Sequence, residues 1–567
     1  MTWGKRRAIV IGIVVLFLIV FLWAAWRPAR LASNSVLIVD AAGEINEQRP
    51  SDLLSAFNGN VTPVLHDYLD GIDSAATDPR IRGIVVRIAP IDAGWAKIEE
   101  IRAHLLGFQR SGKPSICYLG YDGIGNPEYF LATGCSQIWL VPTASVGIRG
   151  MMAETLFLRG TLDKLKIVPE YYHIAEYKTA GNTYTEKKFT PAHKEEVESL
   201  LRSVYNRYIQ QAALARGIDP PAFERLVERG PLLTRQAVEA HLVDRLGYWD
   251  QVEGYFKSGR WRGWTPIGLA QYRSVLGGIG GPNIAVVHAT GLIVSGDSQD
   301  SPTGGFVMGG DSVAADIRTA RQNPSVRAIV LRVDSGGGSV VGSEVIRREV
   351  ELANAVKPVV VSMSDVAASG GYWIAAPARK IVADPDTITG SIGVLIGKFN
   401  VSGLYGLLGL STDSVTTSPN ATIYSDQQNF TPGQREIIQK SLEETYAEFT
   451  QGVAQGRHMS VAAVDKIAKG RVWSGAQAKE LGLVDELGGL DRAIDIAKQL
   501  AHIPSGESVH VLRFPQEKTF WQLLFERERN MSESAPASAV SIRSILQHIL
   551  DQAGTVEVRM PYQIHIR

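Results

Sequence analysis

Two glycine-rich stretches in the second half of the chain hold residue types suited to acyl-transfer chemistry. The first is Asp334-Ser335-Gly336-Gly337-Gly338-Ser339, directly after a β-branched apolar run. Glycines there let the backbone approach a ligand closely and turn N–H groups toward it. No Gly-Lys-Ser/Thr follows, so this is not a Walker loop. The second is Ala367-Ala368-Ser369-Gly370-Gly371-Tyr372-Trp373, which opens a short apolar helix ending near Pro377. Ser369 at that helix start has two readings. One is an ordinary N-cap. The other is a nucleophile whose following N–H, on Gly370, faces a developing oxyanion with help from the helix dipole. Gly337 and Gly338 would supply the second donor.

A serine nucleophile needs a base. His288 and His458 in this half sit in no motif, and no Gly-x-Ser-x-Gly elbow surrounds Ser369. A Ser-His-Asp triad is therefore poorly supported, and a lysine base stays open. A lysine amine must be brought from about 10.4 toward 7–8, a cost of about 4 kcal/mol, by burial in an apolar site. Ser335 is a rival nucleophile, but its neighbours suit a donor loop better. Asp365 reads as a loop carboxylate and Glu344 as a helix acid. Tyr372 and Trp373 read as wall or core.

The elements that must position these residues come in duplicate. Asp78-Pro79-Arg80-Ile81-Arg82-Gly83-Ile84-Val85-Val86-Arg87 is echoed by Asn323-Pro324-Ser325-Val326-Arg327-Ala328-Ile329-Val330-Leu331-Arg332. Lys113-Pro114, Ser145-Val146-Gly147, Thr190-Pro191 and Leu242-Val243-Asp244 recur, in order, as Lys357-Pro358, Ser391-Ile392-Gly393, Thr431-Pro432 and Leu483-Val484-Asp485. The chain is thus two related halves. In each, a buried strand (84–88; 329–333) leads to a helix (95–106; 343–353), a second strand (115–119; 358–363) and a second short helix. Long helices with proline in the first turn follow at 191–216 and 432–457. Alternating strands and helices give an α/β fold.

The 567 residues hold 58 Lys+Arg against 58 Asp+Glu and are 45% hydrophobic. That composition excludes wholesale disorder and lacks the charge footprint of a nucleic-acid binder. The two cysteines, Cys117 and Cys135, cannot make a disulfide framework and lack zinc-ligand spacing, so they read as buried structural residues. Residues 8–26 form an uncharged, proline-free run long enough to cross a hydrocarbon core. Lys5, Arg6 and Arg7 precede it, which favours a cytoplasmic N-terminus, and no small-x-small cleavage site follows. The run is expected to be an uncleaved single-span anchor.

The duplication, the anchor, Ala368-Ser369-Gly370-Gly371-Tyr372-Trp373, Ser391-Ile392-Gly393 and Tyr177-Lys178-Thr179-Ala180 together resemble the signal peptide peptidase A family in its long, duplicated bacterial form. The resemblance implies a membrane-anchored Ser/Lys peptidase with a ClpP/crotonase-like fold. It implies Ser369 as nucleophile, Lys178 as general base, and Gly370 with Gly337 or Gly338 as oxyanion donors. Gly336 stands where the family loop usually has proline, and Gly181-Asn182-Thr183 departs from its commoner x-Glu-Pro. Lys187 and Lys188 are runners-up for the base. The repeat supports one composite site. The counterpart of Ser369 falls near Asn126, and that of Lys178 near Ser418-Pro419-Asn420, with no lysine. Each half therefore holds what the other lacks.

The expected architecture is α/β: tandem ClpP/crotonase-like domains on an N-terminal transmembrane helix. Residues 1–34 form the cytoplasmic end and anchor. Residues 35–275 form a repeat carrying the base, and 280–505 a repeat carrying the nucleophile. Residues 506–567 are a C-terminal extension without counterpart, with a linker near 532–541 and an amphipathic docking helix near 541–552. The expected activity is serine endopeptidase action on remnant signal peptides and other apolar extended peptides, with no metal or other cofactor. The body would face the periplasm from the bacterial inner membrane, as a ring-like homotetramer that binds no nucleic acid. The rivals are an idle membrane scaffold and an acyl-CoA hydratase or isomerase.

Overall fold

The computed structural model describes residues 31–49, 62–258, 262–276, 280–300, 306–516 and 556–559. The expected anchor, the linker near 532–541 and the helix near 541–552 lie outside the described residues. Among the described residues no helix is long and apolar enough to cross a membrane.

The first repeat runs β1 (Ser35–Glu44), β2 (Ile81–Asp92), α1 (Trp95–Gln109), β3 (Ser115–Leu119), α2 (Asn126–Ala132), β4 (Gln137–Leu140), β5 (Val168–His173), α3 (Pro191–Arg216), β6 (Arg245–Leu246) and β7 (Thr265–Gly268). The second runs β8 (Asn283–Thr290), β9 (Leu292–Val294), β10 (Val326–Ser335), β11 (Gly337–Ser339), α4 (Val340–Asn354), β12 (Val359–Ala368), α5 (Gly370–Ala375), β13 (Lys380–Ala383), β14 (Ile388–Gly390), β15 (Leu395–Asn400), α6 (Pro432–Arg457), β16 (Val472–Ser474), β17 (Glu486–Leu487) and β18 (His510–Phe514). A last strand, β19 (Val556–Arg559), closes the described chain.

Each repeat builds the same parallel sheet. The orders are β6-β4-β3-β2-β1-β7 and β17-β13-β12-β10-β8-β18. Parallel strands covered on both faces require unbroken apolar runs. Ile84-Val85-Val86 and Ile329-Val330-Leu331 supply them, and all six side chains are fully buried. The equivalence reaches further than expected. β18 pairs beside β8 as β7 pairs beside β1, so residues 510–514 belong to the second repeat and not to an extension without counterpart. An edge strand needs backbone pairing more than particular side chains, and its sequence therefore drifts.

The repeats also share a sheet. β5 of the first pairs antiparallel with β15 of the second, His173 opposite Leu395 through Val168 opposite Asn400. This carries the segment after β5 to the sheet of the second repeat. Cys117 and Cys135, both buried, are joined by a disulfide within the first repeat.

Candidate active site

Ser369 stands at the joint between β12 and α5. Its backbone has φ 56° and ψ −115°, a conformation L-residues rarely hold and one that costs about 1–3 kcal/mol. The surroundings enforce it. The Ser369 N–H donates to the Gly390 carbonyl at 2.8 Å, and the Trp373 N–H donates to the Ser369 carbonyl at 2.8 Å. Gly371 presses on the preceding loop so closely that a Cβ there would lie 2.4 Å from the Ser335 oxygen. The Ser369 side chain makes no capping bond to α5. The N-cap reading therefore fails.

The Ser369 hydroxyl instead meets Lys178. Lys178 Nζ lies 2.6 Å from Ser369 Oγ, 3.0 Å from the Ser391 carbonyl oxygen and 3.1 Å from Ser391 Oγ. All three residues are fully buried. Lys178 arrives on the segment after β5, and the 469–471 segment locks it there. The Tyr177 N–H donates to the Lys469 carbonyl at 3.2 Å, and the Gly470 N–H to the Ile392 carbonyl at 2.8 Å. Gly470 has φ +81°, and a Cβ on it would fall 2.6 Å from Lys178 Cβ. Only glycine lets the backbone pass the lysine this closely.

Behind the lysine lies a buried acid on α3. Thr179 Oγ1 donates to Glu196 Oε1 at 2.7 Å, and the Val472 N–H reaches Glu196 Oε2 at 3.4 Å. Burial pushes the Glu196 carboxyl up to about 8, against the bonds from Thr179 and Val472 and the charges of Arg471 and Lys178. Neither Ser391 nor Glu196 was singled out for chemistry from the sequence. Ser391 recurs as Ser145 in the half that lacks the nucleophile, so repetition marked it as structural. Glu196 lies in a charged helical run, Lys194-Glu195-Glu196, where burial leaves no trace.

The donor loop is stiffened from within. Ser335 Oγ donates to the Gly291 carbonyl at 2.6 Å and accepts the Gly337 N–H at 3.1 Å. The rival nucleophile is thus tied up as a brace, and the Gly337 N–H is used inside the loop. Gly338, at φ +150°, passes so close to β9 that a Cβ would lie 2.1 Å from the Ile293 oxygen. Gly370 begins α5 directly after Ser369. In the first repeat the equivalent joint is shut. Gly125 precedes α2, Asn126 Oδ1 accepts the Arg149 N–H at 2.9 Å, and the Glu128 carboxylate accepts the Ile91 N–H at 2.9 Å and the Gly125 N–H at 2.8 Å.

The remaining candidates lie elsewhere. Lys187 and Lys188 are exposed, and Lys187 pairs with Asp163 at 2.8 Å. His288 is buried 3.8 Å from Glu47, and His458 ends α6 on the surface. Tyr372 donates to the Leu483 carbonyl, and Trp373 stacks on Phe449 and donates to Glu344. Asp365 caps α1 of the other repeat, accepting the Gly94 N–H at 2.9 Å and the Lys97 N–H at 3.0 Å.

The arrangement has known relatives. The model described as Peptidase family S49 matches twice, over residues 107–261 and 351–504. The first match spans Lys178, the second Ser369 and Ser391. The chain is 34% identical to Protease 4 of Salmonella typhi over 528 residues, covering 88% of this chain and 84% of that protein. It is 31% identical to Protease 4 of Haemophilus influenzae, again over 88% and 84%. It is 32% identical to the chloroplastic serine protease SPPA of Arabidopsis thaliana, over 89% of this chain and 74% of that one.

Proposed function

The chain belongs to peptidase family S49 and is a serine peptidase, and we propose that it is a membrane-anchored endopeptidase working through a Ser369/Lys178 dyad. The observation that carries this reading is the 2.6 Å contact between Lys178 Nζ and Ser369 Oγ, brought from two repeats of one chain into a fully buried site. With the amine hydrogens directed at Ser391 O and Oγ, the lone pair of neutral Lys178 points at the Ser369 hydroxyl. Lys178 takes the Oγ proton as Oγ bonds to the peptide carbonyl carbon. The oxyanion is held by the N–H groups of Gly370 and Gly338, since Ser335 occupies that of Gly337. Lys178 then protonates the leaving amine as the C–N bond breaks. Water, deprotonated by the same amine, releases the acyl group.

The substrates we infer are remnant signal peptides and other apolar extended peptides. The apolar run at 8–26, with its leading cations, supports a single-pass anchor in the bacterial inner membrane with the body in the periplasm. The Cys117–Cys135 disulfide fits an oxidising compartment. Exposed Leu408, Leu410 and Val415 offer apolar surface for the expected homotetramer. The scaffold rival is weakened because Ser369 caps nothing. The acyl-CoA rival would need neither Ser369 nor Lys178.

The test is cleavage of an apolar fluorogenic peptide by the full chain in detergent, beside Ser369→Ala and Lys178→Ala. Each variant should lose at least about a thousandfold in kcat/KM. Mixing the two should restore nothing, because each dyad forms within one chain. Activity surviving in Ser369→Ala would sink the mechanism. Rescue on mixing would move the dyad between chains.

A further inference from the structure

The donor loop and the Ser391 segment each continue into a strand, and the gap between those strands runs beside the dyad. β11 follows Ser335, against which Gly371 is pressed, and β15 follows Ser391 and Gly393. A gap flanked by two strand edges is a site for an extended peptide, because each edge offers unpaired N–H and C=O groups. In this chain the gap is filled by β19. It pairs antiparallel with β11, Gly337 opposite Arg559, Gly338 opposite Val558 and Ser339 opposite Glu557. It also pairs antiparallel with β15, Leu395 opposite Glu557 and Ile396 opposite Val556.

The polarity matters. Gly337 is the residue of β11 nearest Ser335 and the nucleophile joint, and it faces the C-terminal end of β19. The occupant therefore runs N to C toward Ser369, as the acyl-side residues of a substrate must if the next carbonyl is to meet the hydroxyl. We propose that the slot between β11 and β15 binds substrate as a strand paired on both edges, and that residues 556–559 of the chain itself compete for it. This rests on the peptidase reading above and adds to it how peptides are held and what they must displace. An intramolecular competitor acts at an effective concentration near the millimolar range, so it should raise the apparent KM about tenfold if its own affinity is near 100 μM.

The binding test uses Ser369→Ala chains, so that nothing is cleaved, with a fluorescent peptide of residues 553–567. Anisotropy should show the peptide binding the chain that ends at residue 552 and failing to bind the chain that keeps its tail. Val558→Pro in the full-length Ser369→Ala chain should restore binding, because proline withdraws an N–H from a strand paired on both sides. In Ser369 chains, whose intact tail is verified by mass, removing 553–567 should lower KM about tenfold with little change in kcat. Equal peptide binding to both chains, or binding to neither, overturns the proposal. Absence of turnover in both Ser369 chains would instead count against the peptidase reading, while the anisotropy still decides the occupancy of the slot.

Discussion

A lysine serves as a base only while its amine is neutral, so the charged groups packed behind it matter as much as the hydroxyl in front. Lys178 is fully buried, with Glu196 behind it through Thr179. Burial raises the Glu196 carboxyl to about 8, so the folded chain holds it protonated at neutral pH. A neutral acid there does not stabilise an ammonium on Lys178 as a carboxylate would. The sign of the stability effect follows. Between the ordinary carboxylate value of about 4.5 and about 8, the folded chain keeps a proton that the unfolded chain gives up. The stability linked to this group is thus fully present below that window, is lost as pH rises through it, and is flat above it. Glu196→Gln keeps an acceptor for Thr179 and removes the titration. Its melting temperature should fall less than that of the parent between pH 6 and pH 8, measured by thermal unfolding at closely spaced pH. Parallel curves for the two chains would show that Glu196 does not hold its proton in the folded state.

At the scale of elements, the site depends on joints between strands and helices that one repeat supplies and the other braces. Helix α1 lacks a side-chain cap of its own at Gly94. Asp365, four residues before the nucleophile, provides the cap from the second repeat and also lies 3.3 Å from Lys97 Nζ. Asp365→Ala should cost about 1–2 kcal/mol in denaturant unfolding, as lost caps do. It should also lower kcat, because β12 loses an anchor next to Ser369. Asp365→Asn, which keeps an acceptor, should recover most of both, and equal losses in the two variants would refute the capping role. Strands and helices of this kind were legible in the sequence because each leaves a periodic or capped signature. The helices at 191–216 and 432–457 fall where Thr-Pro and the closing Arg-Gly or Arg-His place them. The serine–lysine pairing was suggested by resemblance and by the missing counterparts in each repeat. The role of Ser391 was not legible, because the same serine in the first repeat concealed it. The strand at 510–514 was missed because edge pairing demands little of its side chains, and β19 because residues 556–559 acquire meaning only between two distant strands.

For the whole molecule, duplication followed by loss has made the two repeats inseparable. One repeat holds the amine and has closed its own joint with Glu128. The other holds the hydroxyl and the open loops. Their relative position must therefore be fixed to within a hydrogen bond, and β5 against β15 does part of this. A buried ion cluster does the rest. Arg332 of β10 is completely enclosed, and its guanidinium donates to Glu47 at 2.8 and 3.1 Å and to Glu100 at 2.8 and 3.1 Å, both on the first repeat. It also donates to Ser362 at 2.9 Å and Ser364 at 3.1 Å on the neighbouring strand. Burial alone would raise the Glu47 carboxyl, but Arg332 and Lys97 outweigh it and hold Glu47 well below the usual carboxylate range. Such a cluster is weak evidence for stability but strong evidence for a fixed geometry, because removing one partner strands the others. Arg332→Met leaves two carboxylates buried without their cation and should cost about 3–5 kcal/mol. The loss should appear first in kcat, as the repeats shift and Lys178 Nζ moves away from Ser369 Oγ, and then in the unfolding midpoint. Replacing Glu47 and Glu100 by glutamine in the same chain removes the stranded charge, so stability should return while kcat stays low. A triple variant that regained full activity would show that sheet pairing alone holds the dyad, and an Arg332→Met chain with unchanged stability would show that the cluster is not buried in solution.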